Sequence, residues 1–215
     1  MFGNGLEGQV NDGIAHLKLA IREGDYCVDV IGFSRGAIAA VEFCRKIEKL
    51  KNDPEISKIE KVRFLGLFDP VSGPIPIGER TIPAIVEKTM IIYAKNEKRN
   101  FFSPVFYTGE NIKQISMKGW HSDIGGDDYD KRGLSNDAYT VMIFAGMKAG
   151  ASFIPPHKAL DKFLENDAKK KKTFNKSKKH KKNTFWGGGT DKRELPNIPY
   201  IKPKELQKYL IDFNW

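Results

Sequence analysis

The run from Cys27 to Ala40, CVDVIGFSRGAIAA, constrains this chain more than any other segment. An apolar, β-rich stretch from Cys27 to Phe33 passes through Gly32-Phe33-Ser34-Arg35-Gly36. It then enters a segment whose Ile38, Val41, Phe43, Ile47 and Leu50 carry a helical apolar spacing. A strand that turns into a helix around a glycine-bounded serine has the layout of a nucleophile elbow. A serine hydroxyl is a poor nucleophile at neutral pH, so it must be held exposed where an imidazole can take its proton. Gly32 and Gly36 are expected to permit the tight turn. The N–H of Arg35, at the start of the helix, is the expected oxyanion donor. The alternative use of such a turn is a serine that only caps the helix.

If Ser34 is a nucleophile, an acid and then a histidine should follow it in the chain. Val62 to Phe68 has strand composition, and Asp69-Pro70 comes at its carboxyl end, where open α/β sheets place their reactive groups. Asp69 is the candidate acid, with Pro70 expected to hold it in extended backbone; a plain Asp-Pro turn is the alternative. Ile112 to Met117 alternates in strand fashion, and Lys118-Gly119-Trp120 leads to His121 on a glycine-rich loop. His16 belongs to an amphipathic helix spanning Val10 to Arg22, His157 follows two prolines, and His180 sits among lysines. His121 is therefore the candidate base, able to take and return a proton while a carboxylate fixes its tautomer. Asp123 is placed to support the histidine loop. Asp123, Asp127, Asp128 and Asp130 supply oxygens for a cation, but without the closing Glu of a calcium loop no metal is expected. No cofactor motif is evident.

The blocks GFSRGA, FLGLFDPVSG and GWHSDIGG resemble the signature blocks of bacterial and fungal α/β-hydrolases that include type VI secretion phospholipase effectors. Tyr93 to Arg99 with Phe101-Phe102 resembles the family's acidic-x-Arg segment before a Phe, and Gly133 to Gly150 resembles its helix after the histidine loop. The likeness covers about residues 3 to 155. It implies a mostly parallel α/β sheet with flanking helices and an esterase or phospholipase activity, in which Ser34 is the nucleophile, Asp69 the acid and His121 the base. The family also carries an N-terminal strand and an Asp-Gly-Thr-like turn, whereas 33 residues precede Ser34 here. The expectation is a sheet lacking its first part and its second oxyanion donor, as in a truncated frame, an impaired remnant, or a half-domain whose missing strand comes from a partner chain.

Three segments are expected: a hydrolase-like domain over 1–167, a lysine-rich connector over 168–190, and a C-terminal segment over 191–215 that closes with a short helix near Pro203 to Leu210. Nine lysines and no acid lie between Lys169 and Lys182, so they carry the whole net charge of +9. Such a stretch is solvated, or it binds an anionic membrane surface or nucleic-acid phosphate. Phe174, Phe185 and Trp186 are too few to choose between base stacking and a lipid interface; the resemblance implies a lipid or other ester as substrate, and nucleic acid is not the expected partner. No run reaches the roughly 18 apolar residues of a membrane span, and no charged start precedes an apolar core. The chain reads as made in the cytoplasm, with signal-independent export left open. Cys27 and Cys44 read as reduced core residues.

Overall fold

The computed structural model describes residues 3–73, 78–126, 133–153, 193–195 and 197–215. Five strands form one sheet: β1 (Val28–Phe33), β2 (Val62–Phe68), β3 (Val86–Ala94), β4 (Ile112–Met117) and β5 (Tyr200–Ile201). Their order in space is β1-β2-β3-β4-β5 and every neighbouring pair is parallel. The helices are α1 (Gly3–Arg22), α2 (Arg35–Lys49), α3 (His121–Gly125), α4 (Gly133–Lys148) and α5 (Leu206–Ile211). This is the parallel α/β sheet with flanking helices expected from the sequence, with the strand that leads into Ser34 at one edge of the described sheet.

The two-residue period of the strands sorts their side chains between two cores. Leu65, Leu67, Ile91 and Tyr93 point to one face, where Ile14 and Ile21 of α1 and Ala37, Val41, Cys44 and Ile47 of α2 close over them. Phe64, Met90, Ile92 and Ala94 point to the other, against Ala138, Val141, Met142 and Ala145 of α4 and Leu206 and Leu210 of α5. The C-terminal segment is stitched in by aromatic edges: Phe213 meets Phe144 at 6.1 Å and Trp215 at 5.2 Å between ring centroids. No helix among the described residues is long and apolar enough to cross a membrane.

Three local expectations change. α1 begins at Gly3 rather than Val10; before Val10 the apolar period is continued by Leu6, which packs partly buried against the core. β3 had no strand expectation, and it is the central strand, covered on both faces. Cys27 precedes β1 and is exposed, so it is not a core residue, whereas Cys44 is buried and desolvation pushes its thiol well above its ordinary pKa. Lys169 to Lys182, Asp127, Asp128, Asp130 and both connector boundaries lie outside the described residues.

Candidate active site

Parallel pairing in register places Phe33 of β1 opposite Phe68 of β2, so the next residues, Ser34 and Asp69, emerge side by side at the carboxyl edge of the sheet. The Ser34 N–H donates to the Phe68 carbonyl at 3.0 Å, which pins the turn to the neighbouring strand. Ser34 has φ 60°, a left-handed conformation that a serine adopts only when its surroundings impose it. The imposing contact is the approach of α2 to β1. A Cβ on Gly32 would lie 2.4 Å from the Gly36 carbonyl oxygen and 2.6 Å from the Ala37 Cα, so only glycine fits. Gly36 is different: a Cβ there would meet nothing within 4 Å, and the turn does not require a glycine at that position.

Ser34 makes no side-chain cap to α2. Its Oγ stands 2.9 Å from His121 Nε2, and His121 Nδ1 stands 2.7 Å from Asp69 Oδ2. Asp69 is an acceptor, so Nδ1 carries the proton and donates to it, leaving Nε2 to accept from the serine hydroxyl. The structure thus brings all three predicted side chains together in the order hydroxyl, imidazole, carboxylate. Arg35 is the first residue of α2, so its N–H belongs to the group without an intrahelical acceptor.

Asp69 departs from the extended backbone expected before Pro70: its φ is 39°. Its N–H continues the ladder to the Ile92 carbonyl at 2.7 Å, while Oδ1 turns back to accept from the Ala94 N–H at 2.9 Å. These tertiary bonds, with the one to His121, override the local bias of the proline. The carboxylate is fully buried.

His121 opens α3 instead of lying on a loop. Asp123 accepts from the Trp120 N–H at 2.8 Å and so holds the start of that helix. The imidazole is walled by Phe33 and Phe102, each with its ring centroid 4.6 Å away. Behind it, Glu97 Oε2 accepts from the His121 N–H at 3.1 Å. Burial alone would push the Glu97 carboxyl up. The Arg99 guanidinium, the Arg99 N–H and the His121 N–H more than reverse this, and hold it at about 2. The Arg99 guanidinium also covers the Phe102 ring at 3.8 Å.

Three contributors had no assigned role in the sequence reading. Glu97 and Arg99 sit in a visible acidic-x-Arg block, but nothing in their spacing tells that the carboxylate grips the backbone of His121. Arg193 carried no signal at all. It reaches Asp69 from 124 positions away, with Nη1 donating to Oδ1 at 2.5 Å.

No family model matches this chain, and no curated protein matches it. Among solved structures, the Tle1 effector bound to the VgrG spike from the type 6 secretion system aligns with 27% identity and a TM-score of 0.41, over 57% of this chain and 31% of that one. The chain therefore spans less than a third of that protein's length.

Proposed function

We propose that this chain is a serine hydrolase of carboxylic esters. The observation that supports this most strongly is the continuous Ser34–His121–Asp69 hydrogen-bond line, with Ser34 held at φ 60° on a strand-to-helix turn. In this reading His121 Nε2 takes the Ser34 proton as Oγ bonds to the ester carbonyl carbon. The carbonyl oxygen becomes an anion facing the Arg35 N–H. Collapse expels the alcohol, which takes the proton from His121, and leaves an acyl-serine. Water, deprotonated by the same imidazole, then releases the acid and restores Ser34. Asp69 keeps the tautomer and stabilises the imidazolium that forms in both halves.

A lipid ester is the proposed substrate, and an exported phospholipase-like effector the proposed setting. Both rest on the resemblance of the GFSRGA, FLGLFDPVSG and GWHSDIGG blocks. The edge of β1 that no described strand pairs, where Ile31 is 44% exposed, favours a second reading in which a further strand pairs there and brings the other oxyanion donor.

The test is a serine-reactive fluorophosphonate probe. It should label the folded wild type at Ser34, and Ser34→Ala should keep the fold and lose the label. A folded protein that resists the probe, or carries it elsewhere, overturns the esterase reading for this chain by itself. Labelling that appears only when a strand-bearing partner is added would establish the second reading.

A further inference from the structure

We infer that Arg193 is a positioning residue of the Ser34–His121–Asp69 site, which fixes the acid from behind and tempers its charge. The kinetic consequence rests on the esterase reading above; the geometry does not. Asp69 and the Arg193 side chain are 0% and 4% exposed, so solvent reaches neither and no substrate group can pair with the guanidinium. Nη1 donates both to Asp69 Oδ1 at 2.5 Å and to the Ala94 carbonyl at 3.1 Å, while Nη2 donates to the Phe102 carbonyl. One planar fork therefore links the acid, the end of β3 and the turn whose Phe102 ring lies against His121. With Oδ1 held by Arg193 and by the Ala94 N–H, Oδ2 is left facing the imidazole.

Its charge matters as much as its shape. The groups set around His121 are Ser34, Asp69, Glu97 on its backbone N–H, Arg99 over the Phe102 ring, and Asp123 on the Trp120 N–H. The cation bonded directly to the Asp69 carboxylate is Arg193. A buried carboxylate facing an imidazole with no cation behind it favours the imidazolium, which cannot act as a base. With Arg193 in place the negative charge of Asp69 is shared between the guanidinium and the imidazole. A lysine keeps the charge but, as a single point donor, cannot serve Asp69 and Phe102 together.

The experiment compares wild type, Arg193→Gln and Arg193→Lys by the pH dependence of fluorophosphonate labelling. Proton NMR is run in parallel on the deshielded N–H of the His121–Asp69 hydrogen bond. Arg193→Gln should move the acid limb of labelling up by about one pH unit and alter that resonance. Arg193→Lys should keep the wild-type limb but label about tenfold to a hundredfold more slowly on the plateau. A glutamine variant with the wild-type limb and resonance and only a lower melting temperature overturns the proposal, leaving Arg193 a structural ion pair. If the glutamine variant does not fold, the lysine variant decides, and a wild-type labelling rate there overturns it. If wild type is never labelled, the esterase reading fails while the resonance still tests Arg193: an unchanged signal in the variants rejects it, a perturbed one upholds it.

Discussion

The backbone N–H of His121 donates to Glu97 Oε2 at 3.1 Å, so the histidine is held at its main chain by a carboxylate that is itself clamped by Arg99. The imidazole end answers to Asp69 and the backbone end to Glu97. Neither hold depends on the other's side chain.

That second hold has a pH signature. The Glu97 carboxyl lies at about 2 in the fold against an ordinary 4.5, so its stabilisation is complete above 4.5 and drains as pH falls from there toward 2. A depression of this size corresponds to about 3 kcal/mol. Glu97→Gln should cost stability of that order at neutral pH and flatten the acid side of the stability curve, as read by urea denaturation at stepped pH. A variant as acid-sensitive as wild type over that window would mean that other groups carry the acid transition.

Asp69→Asn should leave the sheet intact and cut the labelling rate of Ser34 by on the order of ten-thousandfold, because the amide favours the wrong imidazole tautomer. It should also destabilise by about 3–5 kcal/mol, since Arg193 is left buried without its carboxylate. Labelling kinetics and a denaturant midpoint measure the two effects separately.

Gly32→Ala and Gly36→Ala form a matched pair. A methyl at Gly32 collides with the backbone of α2, so that variant should lose about 1–3 kcal/mol and shift Ser34 off His121, slowing labelling. A methyl at Gly36 meets open space, so that variant should melt at or above the wild-type temperature, with up to about 1 kcal/mol gained from helix propensity. Equal melting temperatures for the two would contradict the close approach at Gly32.

Deleting Lys169 to Lys182 should weaken association with anionic vesicles, and that association in the wild type should fade with salt, since exposed charges are screened over about 10 Å at 0.1 M. Turnover of a small soluble ester should persist. Co-sedimentation with vesicles across a salt series checks this, and unchanged binding would assign the lysines to solvation alone.

Where a strand ends in a reactive residue, the sequence was readable. Ser34, Asp69 and His121 each follow a strand within four residues, and a parallel sheet delivers such positions to one edge without further information. β3 was harder because its run from Met90 to Ala94 is buried on both faces, which removes the alternation that marks β4; β2, buried in the same way, is legible from its apolar composition instead. The left-handed backbone of Asp69 depends on hydrogen bonds to Ile92, Ala94 and His121, none of them local, so no reading of Asp-Pro could reach it. Arg193 is the extreme case. One arginine among many cations becomes significant only when the end of the chain is laid against β3.

Order along the chain then becomes order in time. Strands β1 to β4 are adjacent both in sequence and in the sheet, so a polypeptide emerging N-terminus first can pair each one as it appears. Ser34, Asp69 and His121 are all present by residue 121, yet the guanidinium that secures the Asp69 carboxylate arrives only at residue 193. During synthesis strands β1 to β4 are therefore available well before the hydrogen-bonded line through Asp69 gains its last partner.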